Sequence, residues 1–286
     1  MYTNDITALF CFVDDFIETL SINSTSQKIV GPKKRGPKPR MSLSERVTIL
    51  LLYHTSGYDC FKHYYCDKIL REHGRDFNLV SYQQFVKLIP SAMPIVVGLL
   101  KCMLKSCTGT SFVDSTSIEV CKAYRINRHK TFDGLAARSK TTKGWFFGFK
   151  LHLVIAPTGE LIKVKFTPGN KDDRKALDEM TDGLFGKVCG DRGYIGKDFS
   201  AKLANKGIQM ITRLKKGMKN MLMDMEDKML LLKRSLIETV IGKIKFLGKF
   251  EHSRHRSVCN AFVHMAASLV NYQLQDDKPS VISLLS

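Results

Sequence analysis

The sequence has 286 residues, of which 44% are hydrophobic and 25% are charged, so wholesale disorder is excluded. Its 45 Lys and Arg against 27 Asp and Glu give a formal net charge of +18, which is typical of a protein that binds a polyanion: nucleic acid first, an anionic membrane surface second. We find no uninterrupted apolar run near the roughly 18 residues of a membrane span, no signal-peptide pattern, and no Cys-x-x-Cys pair among the eight cysteines, so we expect a cytoplasmic protein with reduced thiols and no membrane partner.

The first part of the chain has the apolar spacing of helices, interrupted at glycines and prolines. The best-marked helix begins after a cap at Ser44 and runs to Tyr53. The other predicted helices cover residues 4–20, 58–73, 81–89 and 93–105. The sequence therefore predicts an all-helical N-terminal domain over residues 1–105, which we expect to bind DNA.

A basic arm over residues 28–40 separates the first two predicted helices. It contains three prolines and no acidic residue, and its cations include Lys33, Lys34, Arg35 and Lys38. Proline and glycine oppose helix formation here, so an exposed segment is predicted. Two interpretations stay open, a solvated linker and an arm that lies along a nucleic-acid backbone.

After Gly109 the pattern changes to alternating strands and helices. The predicted strands cover residues 111–114, 146–156, 161–167, 188–191 and 208–213. The predicted helices cover residues 173–184, 197–206, 223–246 and 258–274. This order predicts an α/β domain over residues 106–275, a mixed sheet flanked by helices, followed by a tail over residues 276–286.

Three acidic residues stand out in this second domain. Asp114 and Asp191 each end a short apolar strand, where open α/β sheets place their sites, although either residue alone is also a common turn former. Glu238 lies on the polar arc of a predicted helix between Arg234 and Lys245, and by itself this spacing equally fits a surface ion pair.

Together, two strand-end aspartates and a helical glutamate are the ingredients of a two-metal phosphoryl-transfer site. Hard oxygen ligands suit Mg²⁺, or Mn²⁺, and two such ions hold both the attacking and the leaving oxygen of a phosphodiester. In such a site, Arg234 and Lys245 would lower the repulsion between the carboxylates or hold nearby phosphates.

The motifs around these acids resemble those of DDE-type transposases of bacterial insertion sequences. The likeness extends over about residues 108–272, and a leucine, Leu231, stands where the family has a tyrosine before the Arg-x3-Glu-x6-Lys pattern. The matching segments are residues 112–116 (Phe-Val-Asp-Ser-Thr), 144–152 (Gly-Trp-Phe-Phe-Gly-Phe-Lys-Leu-His), 168–173 (Pro-Gly-Asn-Lys-Asp-Asp), 190–194 (Gly-Asp-Arg-Gly-Tyr) and Arg234-x3-Glu238-x6-Lys245.

This resemblance implies an RNase-H-like fold with Asp114, Asp191 and Glu238 as catalytic metal ligands, and Asp173 and Arg192 join the supporting residues. It implies a reaction in which metal-activated water cuts double-stranded DNA at the terminal repeats of an element, and the freed 3′-hydroxyl attacks target DNA. A homodimer on DNA is the expected assembly, in the bacterial cytoplasm and associated with the nucleoid when bound. A metal-dependent nuclease without strand transfer and a non-catalytic DNA-binding relic are the alternatives.

Basic residues surround the predicted site. The stretch from residue 122 to residue 150 is rich in Lys and Arg, and we expect Arg128, Lys130 and Lys143 to contact DNA phosphates. A solvated surface is the alternative for this stretch. Trp145, the single tryptophan, is predicted to pack in the core, and stacking on a flipped base is its alternative role.

Overall fold

The computed structural model describes residues 5–24, 40–141, 144–213, 223–250 and 255–281. Most of the basic arm, with Lys33, Lys34, Arg35 and Lys38, lies outside the described residues, as does Lys143. The chain forms two compact units. The first takes its described residues from Met1–Met103, Leu247–Lys249 and His255–Asp276, and the second from Leu104–Phe246, Phe250–Arg254 and Asp277–Ser286.

The first unit is helical, as the sequence predicts. Its helices α1 to α6 span Ile6–Ser24, Leu43–Tyr53, Phe61–His63, Leu70–Glu72, Tyr82–Leu88 and Met93–Met103, and a π-helical stretch, Tyr64–Ile69, joins α3 to α4. The α2 helix begins two residues earlier than predicted, because Ser42 and Glu45 form a reciprocal capping box. Ser44, the expected cap, is instead a buried residue of the first turn.

The last helix of the chain, Val258–Leu274, also belongs to the first unit, although the sequence places it in the second domain. It packs against α6, and the amide of Asn271 donates to the carbonyl of Leu51. Most of its side chains are buried, including polar ones. A helix that covers the outside of a sheet would instead bury one face and expose the other. The division of the chain therefore differs from the expected domains 1–105 and 106–275 with a tail.

The stretch Tyr82–Met103, which includes α5 and α6, is long and apolar enough by length and composition to cross a membrane, contrary to the expectation from the sequence. Its helical character is interrupted by a 3-10 turn, Ile89–Ala92. The buried side chains of α6 are Val96, Leu99 and Leu100. One such helix is weak support for a membrane span, because a core helix of a globular protein has the same composition.

The second unit contains, in the described part of the chain, a six-stranded mixed sheet. Its strands β1 to β6 span Thr110–Glu119, Ala137–Thr141, Gly144–Ile155, Leu161–Pro168, Gly186–Gly190 and Ile208–Thr212. The order runs β2-β3-β1-β5-β6, with β4 also paired to β3, so that β1, β5 and β6 are parallel and β3 is antiparallel to its neighbours. This mixed sheet flanked by helices confirms the α/β class and fits the RNase-H-like core.

Helices cover the sheet and connect its strands. The α7 helix (Asp173–Asp178) and the α8 helix (Lys197–Ala204) contribute Leu177 and Leu203 to a cluster with Val113 of β1. Further along the chain, α9 (Met225–Leu232) and α10 (Ser235–Gly248) replace the single predicted helix 223–246, and α11 is the helix Val258–Leu274.

The pleat of β1 separates two chemical environments. Successive side chains of a strand point to opposite faces, so Val113 and Ser115 share one face and Asp114 the other. Asp114 pairs with Leu153 and Ser115 with His152 across the antiparallel β1–β3 register. The site therefore forms at a strand whose neighbouring residues serve opposite sides of the sheet.

Candidate active site

Asp114 lies in the middle of β1, not at its end as the sequence predicts. The strand continues to Glu119 because residues 112–119 pair with β3 along an unbroken register, which supplies hydrogen-bond partners to a polar stretch. The Asp114 carboxylate is half-buried and accepts a hydrogen bond of 2.8 Å from the backbone N–H of Ser115.

Asp191 follows β5 directly, as the sequence predicts. β1 and β5 are parallel, and Phe112 pairs with Cys189, so Asp191 stands two residues beyond this pair on its strand, as Asp114 does on β1. Residues level on adjacent parallel strands point to the same face of a sheet. The register therefore brings the two carboxylates to one place, with Asp191 exposed.

Arg234 connects Asp114 to Glu238. Its Nη1 lies 3.7 Å from Oδ2 of Asp114, and its Nη2 donates to Oε1 of Glu238 at 2.6 Å. Arg234 precedes the first residue of α10 and lies in the turn between α9 and α10, so it is not on the helix that the sequence predicts. The predicted Arg234–Glu238 ion pair nevertheless forms, from a turn to a helix.

The electrostatics of Asp114 include contributions from both of the other acids. The pKa of Asp114 is raised to about 6, chiefly by burial and to a smaller extent by the carboxylates of Asp191 and Glu238. The N–H of Ser115 and the guanidinium of Arg234 act in the opposite direction. A carboxyl group with a raised pKa beside like charges is typical of a site that accepts a cation.

A family model described as a transposase DDE domain matches residues 104–258, which is more than half of the chain. The chain belongs to this family. Asp114, Asp191 and Glu238 all lie within the segment that matches the DDE domain. Transposase DDE domains generally use divalent metal ions.

A solved structure, the cryo-EM structure of a piggyBac transposase synaptic complex with hairpin DNA, is similar to this member of the DDE domain family at 8% sequence identity and a TM-score of 0.41. The match covers 77% of this chain and 51% of that one, so the chain spans about half the length of that transposase. A comparison with curated proteins gave no match.

The proposed donor atoms of this DDE domain are of the chemical type that a hard divalent ion prefers. Asp114, Asp191 and Glu238 offer carboxylate oxygens, the ligands that Mg²⁺ and Mn²⁺ prefer, and the pKa of Asp114 is raised mainly by burial, with a smaller contribution from the two other carboxylates that a cation would offset. Within the described residues, no three His, Cys, Asp or Glu side chains are gathered closely enough to hold an ion. Arg234 balances the charge of Asp114 and Glu238 in this arrangement.

A second group of polar residues lies on the other face of β1, around Asp173. The sequence analysis identified Asp173 but not its partners. Oδ1 of Asp173 accepts hydrogen bonds from Oγ of Ser115 and Nζ of Lys150, both at 3.0 Å. Nδ1 of the buried His152 is 3.7 Å from the same oxygen. Asp173 is thus held beside the residue that follows Asp114. The polar residues Ser115 and Lys150, on one face of two adjacent strands, would have been the sequence signal for this contact.

Tyr194 is a further residue whose position the sequence did not reveal. Its side chain is buried, and its hydroxyl has no hydrogen-bond partner among the described residues. Burial raises the pKa of Tyr194 well above its usual range, and the nearby Asp173, Asp114 and Asp191 add to this effect. The ring is therefore buried in the cluster with Val113, within the electrostatic influence of Asp173, Asp114 and Asp191.

The remaining predicted residues lie at the following positions. Lys245 follows Glu238 on α10 by seven residues, about two helical turns, and so lies on a similar side of the helix. Arg192 is exposed in the 3-10 turn after Asp191. Arg128 and Lys130 are exposed in and after the 3-10 helix Ala123–Arg128.

Proposed function

We propose that the protein is the DNA transposase of a bacterial insertion sequence, which cuts DNA at the ends of the element and joins the freed 3′-hydroxyl to target DNA. The observation that carries this proposal is the electrostatic convergence of Asp191 and Glu238 on Asp114 inside a domain of the transposase DDE family. The roles of these three residues as catalytic metal ligands are part of the proposal.

The proposed ligands would hold Mg²⁺, or Mn²⁺, as a pair of ions. Bound there, the ions would lower the pKa of the attacking water and stabilise charge on the phosphodiester. Asp114 supplies the central ligand because it is the least exposed of the three acids, while Asp191 and Glu238 face solvent, where a DNA strand has access.

The supporting residues hold the acids and the substrate. Arg234 is 3.7 Å from Asp114 and 2.6 Å from Glu238, so it orients both carboxylates and reduces their repulsion. Lys245 and Arg192 are proposed to bind phosphates next to the scissile bond. Asp173 is proposed to orient β1 through Ser115.

The proposed substrate is double-stranded DNA, both the terminal repeats and the target. A net charge of +18 and the exposed Arg128 and Lys130 support this choice, because each phosphate contact releases counterions and strengthens binding at low salt. We propose the same role for the basic arm. Action as a homodimer on DNA, in the bacterial cytoplasm, completes the proposal.

A nuclease that cuts without joining needs the same three acids, so the site geometry does not favour it over a transposase. A strand-transfer assay with a pre-nicked donor end separates the two, because only a transposase converts the free 3′-hydroxyl into a joined product. A relic that only binds DNA would show neither cleavage nor joining.

The substitution Glu238→Gln tests the proposal. Loss of one metal ligand removes several kcal/mol of transition-state stabilisation, which at about 1.4 kcal/mol per factor of ten corresponds to roughly a thousand-fold slower cleavage. Binding of DNA in the absence of divalent ions should change little. The measurement is Mg²⁺-dependent cleavage of a labelled element-end duplex.

Glu226→Gln is the matched control, since Glu226 is an exposed glutamate of the neighbouring helix α9 that pairs with Lys187. We expect this variant to cleave at the unmodified rate. Full cleavage by Glu238→Gln would remove Glu238 from the site and with it the proposed catalytic triad.

A further inference from the structure

The hairpin of β2 and β3 presents a face that combines aromatic and cationic side chains. Lys140 pairs with Trp145 and Arg138 with Phe147 across the two antiparallel strands. Directly opposed residues point to the same side of the sheet, so these four side chains share one face, which we call the hairpin face. Phe146, which points the other way, is buried.

Trp145 does not pack in a core, contrary to the prediction from the sequence. Its side chain is 69% exposed, whereas Phe146 beside it is only 7% exposed. Burial of a large aromatic ring is favourable by a few kcal/mol, so an open position for the single tryptophan of the chain gives up stability. The exposed indole lies directly opposite the exposed Lys140 and diagonal to Arg138, a combination that suits a ligand with both a flat ring and negative charge.

Neighbouring contacts hold the hairpin face in place. The guanidinium of Arg138 donates to Oδ1 of Asn127 at 3.2 Å, and the ring of His129 meets that of Phe147 edge-on at 6.1 Å between centroids. Both partners come from the basic segment that contains Arg128. The face is therefore tied to a segment whose cations are exposed.

The hairpin face also lies on the same side of the sheet as Asp114. Asp114 is opposite Leu153 of β3, and Trp145 is eight residues from Leu153 along that strand, an even number that keeps both side chains on one face. At about 3.3 Å per residue, this separation is about 26 Å. Trp145 and Asp114 therefore lie on one side of the sheet, with buried side chains of β3 between them.

Charge and ring geometry together select the occupant. Arg138 and Lys140 are exposed cations, which suit phosphates, and Lys140 forms no ion pair with a carboxylate of the described ranges. A flat, uncovered indole stacks on the π-face of a base, and such faces are accessible only where bases are unpaired, because paired bases already stack on one another.

We infer that the hairpin face, with Trp145 as stacking residue and Lys140 and Arg138 as phosphate contacts, binds an unpaired nucleotide of a DNA strand outside the catalytic acids. This inference rests on the proposed function for the identity of the polyanion as DNA. It adds a binding site for distorted or unpaired DNA to the proposed transposase.

Intrinsic fluorescence tests the inference directly, because Trp145 is the only tryptophan in the chain. The full-length protein is titrated, in EDTA to prevent cleavage, with three probes of equal length: a paired duplex, the same duplex with a few unpaired thymines, and a single oligothymidine strand. We expect saturable quenching with the two probes that contain unpaired bases and little quenching with the paired duplex.

The variant Trp145→Ala should weaken binding to the unpaired probes roughly ten-fold, measured by anisotropy of labelled DNA, and leave binding to the paired duplex nearly unchanged. Trp145→Phe should restore much of the affinity, since it keeps a ring. Phe185→Ala is the matched control, because Phe185 is 52% exposed in the same unit beside Gly109, at the other end of β1.

Unchanged tryptophan emission while the unpaired probes bind would overturn the inference, as would an equal loss of affinity for paired and unpaired probes. Stronger quenching by anionic vesicles, or by self-association at increasing protein concentration, would assign the face to a membrane or to a second copy. Because these readouts require no cleavage, failure of the hairpin face is distinguishable from failure of the transposase proposal, which the Glu238→Gln assay tests.

Discussion

In the first unit, buried imidazole rings pack against one another, whereas in the second unit carboxylates share partly exposed positions with cations. The ring of His264 stacks on that of His255 at 5.1 Å and meets His54 edge-on at 5.8 Å. Asp114 forms an ion pair with Arg234, and Asp173 forms one with Lys150. Buried histidines that prefer their neutral form contribute to packing. Half-buried carboxylates that are paired with cations suit a site that binds a charged ligand.

The largest expected effect is that of Asp114→Asn. The change removes the central proposed ligand, so cleavage of element-end DNA should fall roughly a thousand-fold. Stability should not fall, because the asparagine is uncharged and relieves repulsion from Asp191 and Glu238. Cleavage rates and thermal melting in EDTA measure the two effects separately.

A lower melting temperature for Asp114→Asn would show that the carboxylate of Asp114 stabilises the fold. The distinction between the packed histidines of the first unit and the carboxylates of the second would then be wrong. The variant Asp182→Asn is a suitable control for the loss of one negative charge. Asp182 belongs to the same unit and lies outside the acid cluster described above.

A smaller effect is expected for Asp173→Asn. The neutral amide offers a weaker acceptor to Ser115 and Lys150, and loss of a residue that orients a metal ligand typically slows catalysis 10–100-fold, so we expect about this reduction. Unlike Asp114→Asn, this variant should also lose about 1–3 kcal/mol of stability, because Lys150 keeps its charge without a charged partner. Single-turnover cleavage and urea unfolding provide the measurements.

The control for this variant is Ser115→Ala, which removes one of the two donors and leaves the Lys150–Asp173 pair. It should slow cleavage less than Asp173→Asn does. An Asp173→Asn protein with normal stability and normal cleavage would leave Asp173 without a positioning role.

The smallest effect concerns pH and the first unit. Burial lowers the pKa of His54 to about 4 and that of His264 well below its usual range. At pH values between the lowered pKa of each folded histidine and the unfolded pKa near 6.5, the unfolded chain binds more protons than the folded chain. The free energy of unfolding therefore decreases as the pH falls. At pH 4 the loss from His54 alone amounts to about 3 kcal/mol at most.

Urea unfolding followed by far-ultraviolet circular dichroism between pH 7 and pH 5 measures this slope. His264→Phe places a ring without a titratable group beside Tyr53 and Phe61, so the slope should become shallower. Phe85→Leu, a buried change in the same aromatic cluster, should lower stability equally at every pH. An unaltered slope in His264→Phe would exclude that histidine as its source.

Much of the architecture was predictable because it depends on local pattern. The last helix begins and ends at the expected residues, and the extent of β4, to within one residue, and the position of Asp191 after β5 were predicted correctly. These features follow from apolar spacing and from turns at glycine and proline, which the sequence shows directly.

The errors occurred where partners distant in the sequence decide the structure. β2 went unpredicted because Ala137–Thr141 has the composition of a solvated segment and becomes a strand only by pairing with β3. The break between α9 and α10 at Arg234 could not be detected from the spacing of apolar residues. Trp145 was predicted to be buried because the residues that follow it are apolar. The unit that α11 joins depends on tertiary packing, which no local pattern reports.

The alternation of Asp114 and Ser115 along β1 has a consequence for how the chain folds. If β1 paired with β3 one residue out of register, the carboxylate would enter the apolar layer of Val154 and Leu177, and Val113 would turn toward the charged side. Such misregistration would bury a charge and expose a hydrophobic side chain at once. The position of Asp114 within a strand therefore disfavours misregistered pairing, so that one residue serves both the correct assembly of the sheet and the proposed chemistry.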